Sequence, residues 1–462
     1  MFLPTARNTK IMREAFLHFI WRTGRFDLRQ LRSTTGQDIQ IHQFGAPNED
    51  GGPDFLAAQV SIDGLQWAGQ VEMHLNSSEW YDHGHERDPA YDNVILHVVL
   101  REDRPVFRAD GSRIPCLELR GRIPPGILRS YWRLMHNENW IPCQHQLHYV
   151  GEDVREGWLG FLVRERLNAK GEYFLGTVHR GRRDWEACFF RALARSMGGR
   201  VNGEAMEMLT QALPLRILQK HQHSLLQLEA LLFGQSGLLP SADGEQEEYT
   251  ILLKREYALL RTKYGLTPLP AAAWRFLRMR PNGFPTVRIA QLAALLHRTG
   301  QLFSKALAAT DQRELMNMFD VKLSNYWRSH YRFGVATETK DRRLGDDMVR
   351  SILINAVAPA LEAYGRARKE GKYRNRAVSL LRALPAEDNS VIRRWRALGW
   401  TAGNAADSQA LLSLKKEYCS RSRCLECPVG QEVLGQTYRK DGDGPILSLN
   451  ERAVLYRIAG VG

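Results

Sequence analysis

Residues 51–75, GGPDFLAAQVSIDGLQWAGQVEMHL, decide the fold. Asp63-Gly64 lies between two apolar or alternating runs, Phe55 to Ile62 and Leu65 to Leu75, and an Asp-Gly pair in that setting is a strong hairpin signal. The two runs are therefore expected to be antiparallel neighbours. Along Gly69 to Leu75, side-chain alternation puts Gln70, Glu72 and His74 on one face and Val71, Met73 and Leu75 on the other. Asp54 lies nine residues before Asp63 and Glu72 eight after Gly64. The hairpin thus carries Asp54 to the far end of the polar row.

Outward from the hairpin, residues 10–24 (KIMREAFLHFIWRTG) place Ile11, Phe16, Ile20 and Trp21 on one face of an amphipathic helix that Gly24 stops. Ile39 to Phe44 and Val94 to Leu100 read as further strands of the same sheet, the latter apolar enough to be covered on both faces. After the Pro- and Arg-containing stretch 101–125 the period changes from two to 3.6. Helical patterns run over Val154 to Leu167, Trp185 to Met197, Glu204 to Leu213, Leu215 to Leu232, Glu247 to Tyr264, Ile289 to His297, Met348 to Arg368 and Val391 to Leu398. The expected fold is α+β, with a mixed-sheet domain over 1–150 and a large, mainly helical, basic domain over 151–462 that ends in a Cys-rich loop.

The chain has 462 residues, 44% hydrophobic and 25% charged, which suits globular domains and excludes a disordered or fibrous chain. No apolar run reaches the roughly 18 residues of a membrane span, and charges interrupt the first 16 residues where a signal peptide is apolar. A cytoplasmic protein with no membrane partner is expected. Six cysteines are too few for a secreted disulfide scaffold of this length.

Charge is unevenly placed. Residues 1–150 hold 16 Lys+Arg against 18 Asp+Glu, and the other 312 residues hold 48 against 33. Positions 51–100 alone carry eight acids, one arginine and four histidines (His74, His83, His85, His97). An acid-and-histidine centre on a basic body suits a metal-dependent enzyme acting on a polyanion. Two carboxylates, Asp54 and Glu72, converging at the end of a strand pair are what a hard divalent cation needs for oxygen ligation and for activating water. The plainer reading of the same residues is a Gly-Pro-Asp turn and an exposed strand face.

The order of helix, hairpin and acids resembles the PD-(D/E)XK nuclease core. That resemblance implies Asp54 as first acid, Glu72 as second, His74 at the lysine position and Glu14 as an upstream carboxylate. His74 departs from the pattern, because an imidazole is not a permanent cation; it is expected as a metal ligand or a proton-transfer group, and the departure also admits an inactive site. His83 and His85 flank Gly84 and could complete the metal shell, which with nitrogen ligands favours Mn or Zn over Mg; the alternative is a solvated loop. His97 reads as a core histidine. The string 51–99, with RMRPNGFPTVRIAQLAALL and SQALLSLKKEYCSRSRCLECPVG, resembles the uncharacterised bacterial family of domain of unknown function 2851, which implies no activity.

In the body, Arg278, Arg280 and Arg288 surround an inter-helix turn with Thr286 as the expected N-cap, and read either as a phosphate site or as arginines paired within the fold. Arg393 to Arg396, with Trp395 among them, could grip a nucleic-acid backbone or form a solvated helix face. Cys419, Cys424 and Cys427 have metal-binding spacing that is similar to the cysteine loop of iron–sulfur DNA glycosylases, less one cysteine. Zinc or an iron–sulfur cluster is expected there, its fourth ligand coming from a distant segment such as Cys143 or Cys116 or from a nearby acid, solvent or ligand, with Arg421 and Arg423 facing nucleic acid; the alternative is a redox or merely structural cysteine set. The functional expectation is a metal-dependent DNA or RNA phosphodiesterase using Mg or Mn, or Zn. Its alternatives are a non-catalytic nucleic-acid binder with a degenerate nuclease fold and a metal-dependent hydrolase of a small substrate.

Overall fold

The Asp63-Gly64 turn forms with both residues at positive φ, 50° and 82°, as a two-residue hairpin turn of this type requires. It joins β4 (Phe55–Ile62) to β5 (Leu65–Asn76) with Ile62 opposite Leu65. The protein is described by a computed structural model over residues 12–48, 50–180, 184–240, 247–340 and 342–440.

The sheet runs β1 (Leu31–Arg32), β2 (Asp38–Gln43), β4, β5, β6 (Val94–Arg101) and β7 (Cys116–Glu118), with β3 (Ala46–Pro47) paired to β4. It is mixed: β4 and β5 are antiparallel, whereas β5 and β6, and β6 and β7, are parallel. The parallel step from β5 to β6 is made by residues 77–93, which hold helix α2 (Glu79–Asp82) and two short helical turns. Val94 to Leu100 are buried, as their continuous apolar run implied.

Helix α1 (Glu14–Arg22) buries Phe16, Leu17, Phe19, Ile20 and Trp21 and packs on β5. The Trp21 indole N–H donates to the Phe44 carbonyl at 2.9 Å, and Phe16 stacks on Tyr131 of helix α3 (Pro125–Met135) with centroids 4.1 Å apart. Five buried residues on a nine-residue helix leave few positions open, and Glu14 and His18 share one of them, four residues apart on the same side.

The chain divides into two units, 1–158 with 414–462, and 159–413. The cysteine segment, expected at the end of the helical body, therefore belongs to the sheet-bearing unit. There Arg22 Nη2 donates to the Leu425 carbonyl at 2.8 Å and Arg25 Nη1 to that of Gln431 at 3.1 Å. The second unit is mainly helical. Its patterns are observed as Trp185–Ala212, with a break at Gly199 that separates the two helices expected there, and as Leu215–Lys220, Leu225–Ser236, Glu248–Tyr264, Pro285–Arg298 and Ser390–Ala397. No described helix is long and apolar enough to cross a membrane.

One irregularity sets the geometry of the hairpin end. Phe55 pairs with Val71 but Ala58 pairs with Gly69, so Leu56 and Ala57 together stand against Gln70. Ala57 takes φ 55° to make this bulge. Extending the Phe55 pairing by one step puts Asp54 opposite Glu72. Without the extra residue Asp54 would stand opposite Met73, on the other face.

A left-handed backbone costs a residue with a Cβ about 1–2 kcal/mol, and glycine escapes this while losing more entropy on folding. Ala57→Gly is therefore expected to keep or raise stability by up to about 1 kcal/mol, and Ala57→Val to lower it by more than that. Urea unfolding of the three proteins checks this, and an Ala57→Gly protein less stable than the parent contradicts the reading.

Candidate metal centre

Asp54, at the start of β4, is tied to β5 by its backbone and its side chain. Its N–H donates to Glu72 Oε2 at 3.1 Å, and its Oδ2 accepts from the Met73 N–H at 2.9 Å. From α1, His18 Nε2 reaches the same Oδ2 at 3.3 Å. Glu14, His18 and Asp54 each present a ligand atom within 4.8 Å of the other two.

The other oxygen of Glu72 faces a second group. Glu72 Oε1 lies 3.3 Å from His85 Nε2 and 3.7 Å from His74 Nε2. His74, His83 and His85 form a second triad with ligand atoms within 4.8 Å. Gly84, at φ 75°, supplies the left-handed step that brings His83 and His85 to the same side. The His85 ring is held by stacking on Tyr91 at 3.8 Å.

His97 is the core histidine expected, and it also meets His74. It stands opposite Glu72 on β6, is fully buried, and its Nε2 is 2.9 Å from His74 Nδ1. That contact occupies one nitrogen of His74 and leaves Nε2 directed at His83 Nδ1, 3.2 Å away, and Glu72. A partner on the far nitrogen that fixes ring orientation and tautomer is what a ligating histidine uses.

Burial governs the electrostatics. It pushes Glu14 up to about 7, with the Asp54 charge adding to the effect. It also raises Glu72, against the opposing hydrogen bond to His85 and with help from Asp54. Burial disfavours the charged form of His18, but the adjacent Asp54 carboxylate, with Glu14 and Glu72, outweighs it and the pKa is raised. Burial, then the neighbouring His97, His83 and His85, drives His74 down to about 2, and burial takes His97 to about 3. The histidines at the bottom of the site are thus neutral, the form that ligates metal. His74 is a poor fit to proton transfer near neutral pH.

The expected site residues Asp54, Glu72, His74, Glu14, His83 and His85 are all brought together. His18 was not anticipated, although its position four residues after Glu14 on a helix was a usable signal. Asp82 and Asp88 are exposed, and Asp88 accepts from the Ala90 N–H, so neither joins either triad.

The cysteines behave differently. All six are free thiols, and among the described residues no three of their sulfurs form a group within 4.8 Å. Burial raises Cys424 to about 12 and Cys427 to about 11. Cys143 is raised by burial and then by Cys427 and Cys424, whereas Cys116 sits in β7 beside Glu102 and Glu118. Of the two distant thiols, only Cys143 neighbours the cysteine segment.

Several arginines are already engaged. Arg421 pairs with Glu417 at 2.7 Å and Arg423 with Glu426, and Arg288 Nη1 donates to Gln291 at 2.8 Å. Thr286 is not an N-cap: the helix starts at Pro285 with Phe284 in the cap position, and the Thr286 hydroxyl donates to the Tyr331 carbonyl. Trp395 is buried, with its indole N–H on the Leu411 carbonyl, so it offers no ring to a base. Arg278 and Arg280 are exposed.

Fold and site together define an α+β protein with a paired histidine and carboxylate cluster of a kind that could hold a divalent cation. The chain belongs to the DUF2851 family, described as a protein of unknown function, whose model matches residues 14–390. That span contains every residue of the two triads and ends before Cys419. No curated protein and no solved structure matches the chain.

If His97 orients His74, replacing it with leucine removes the partner while keeping the core apolar. Binding of Mn or Zn to His97→Leu is expected to weaken about 10–100-fold with the folded state retained, as measured by titration calorimetry and circular dichroism. Unchanged affinity contradicts the orienting role.

Proposed function

We propose that this chain is a metal-dependent phosphodiesterase acting on a nucleic acid, with its centre at Glu72 between the Asp54 and His74 groups. The observation that carries the reading is the meeting of a carboxylate-rich triad and a histidine triad at one buried carboxylate. A divalent cation in such a site polarises a phosphoryl oxygen and lowers the pKa of bound water. Asp54, Glu72 and Glu14 supply oxygen ligands, and His18, His74, His83 and His85 supply nitrogen. Hydrogen bonds through the Asp54 and Met73 N–H groups hold the two strand carboxylates in place before any ligand arrives.

The order of helix α1, antiparallel β4 and β5, a helical crossover and parallel β6 supports the nuclease-like reading over an unrelated hydrolase. The polyanion rests on charge: the excess of bases beyond residue 150 and the exposed Arg278 and Arg280. Arg421, Arg423 and Arg288 contribute less to that argument, being engaged within the fold.

The cysteine segment is a separate proposal. Zinc or an iron–sulfur cluster on Cys419, Cys424 and Cys427 with Cys143 is supported by the burial of three of these thiols. The Val429 and Gly430 N–H groups, which hydrogen-bond to Cys427, also suit a thiolate sulfur. Metal analysis of Cys427→Ser is expected to show loss of that metal with Mn binding at Glu72 intact; equal metal content in parent and variant contradicts it.

Labelled single- and double-stranded DNA and RNA, offered to the purified protein with Mg, Mn or Zn, test the main reading. Cleavage is expected, and Asp54→Ala and Glu72→Ala are each expected to lower it by about 100-fold or more while retaining fold and binding. Salt-sensitive binding without cleavage in any metal favours the non-catalytic binder, and absence of both favours a small-substrate hydrolase.

A further inference from the structure

The two triads are separate, and Glu72 offers a different oxygen to each. Oε2 accepts from the Asp54 N–H on the side of Glu14, His18 and Asp54, while Oε1 approaches His85 and His74 on the other. Each triad closes within 4.8 Å by itself. One ion would leave the second set of converging ligand atoms without a cation. In the histidine triad His74 Nδ1 is engaged by His97, and His74 Nε2 lies 3.2 Å from His83 Nδ1, so a cation would take the place of that imidazole–imidazole contact while His97 goes on holding the His74 ring.

We infer that the centre takes two divalent cations, one in the Glu14/His18/Asp54 lobe and one in the His74/His83/His85 lobe, with the Glu72 carboxylate bridging them. The lobes differ in character. Two carboxylates with one imidazole suit a hard or borderline ion such as Mn, whereas three imidazoles with one carboxylate oxygen favour Zn and take Mn when it is the only ion supplied at saturation. Two cations joined through a carboxylate are the arrangement that clamps both the attacking and the leaving oxygen of an in-line phosphoryl displacement. The inference deepens the metal reading above, yet it concerns metal content and holds whatever the substrate proves to be.

The probe is Mn alone, a single paramagnetic ion that thiolates do not favour, added to the full chain after chelation and read by elemental analysis and electron paramagnetic resonance. The parent is expected to hold two Mn per chain with an exchange-coupled spectrum. His83→Ala, a change at an exposed side chain, is expected to hold one Mn with an uncoupled six-line spectrum. Glu14→Gln, in the other lobe, is expected to do the same. One Mn per parent chain overturns the inference, as does an uncoupled spectrum at two Mn, or loss of both ions in either variant. Cleavage assays are independent of this readout: a coupled two-ion centre without cleavage sinks the nuclease reading alone, and cleavage with one ion sinks the two-ion inference alone.

Discussion

A single buried carboxylate links the two halves of the candidate centre. Glu72 is 5% exposed, and taking an ionised carboxyl that far from water is expensive unless it is paired and hydrogen-bonded. Its two oxygens answer that cost in different ways. One accepts a backbone N–H from the neighbouring strand and the other meets two imidazoles. The first contact exists because the bulge at Ala57 advances β4 by one residue, so the strand register and the electrostatics of the centre are one constraint seen from two sides.

The same economy explains why α1 lies where it does. Its buried face of Phe16, Phe19, Ile20 and Trp21 fixes the helix against β5, and with that rotation set, Glu14 and His18 can only point to the Asp54 end of the strands. His18 then shares Asp54 Oδ2 with the Met73 N–H. Packing aims Glu14 and His18, and an otherwise apolar helix thereby carries two half-buried polar groups.

Much of this centre was legible before any coordinates. The period of two along β5 placed Glu72 and His74 on one side and the Asp-Gly turn brought Asp54 to that end of the strand pair, although a regular hairpin would have set Asp54 on the opposite face; the glycine between His83 and His85 pointed to two converging rings. The bulge was not legible, because its left-handed residue is an alanine and nothing in the run FLAAQV marks it. His18 was hidden by a helix read for its apolar face, and His97 by a strand read as core. Arg421 and Arg423 have Glu417 and Glu426 within one helical turn, so part of their positive charge is offset locally, and Thr286 lost the cap role to a start at Pro285 that left its hydroxyl free to reach Tyr331.

On the proposed nuclease-like reading, His74 would stand where such enzymes have a lysine, and that bears on the chemistry. A lysine there would bring a fixed ammonium to the phosphate, whereas His74 is 1% exposed, bonded on one nitrogen to a buried His97 and flanked by His83 and His85. A protonated ring in that company would put a positive charge among other imidazoles with little water to screen it, which is why its pKa falls to about 2. On the proposed nuclease-like reading, the positive charge that a phosphoryl transition state requires would have to come from elsewhere in the centre. Neutral nitrogens gathered around a carboxylate oxygen are a ligand set that would import such charge as a metal ion, so on that reading the electrophile would be the cation and not a side chain.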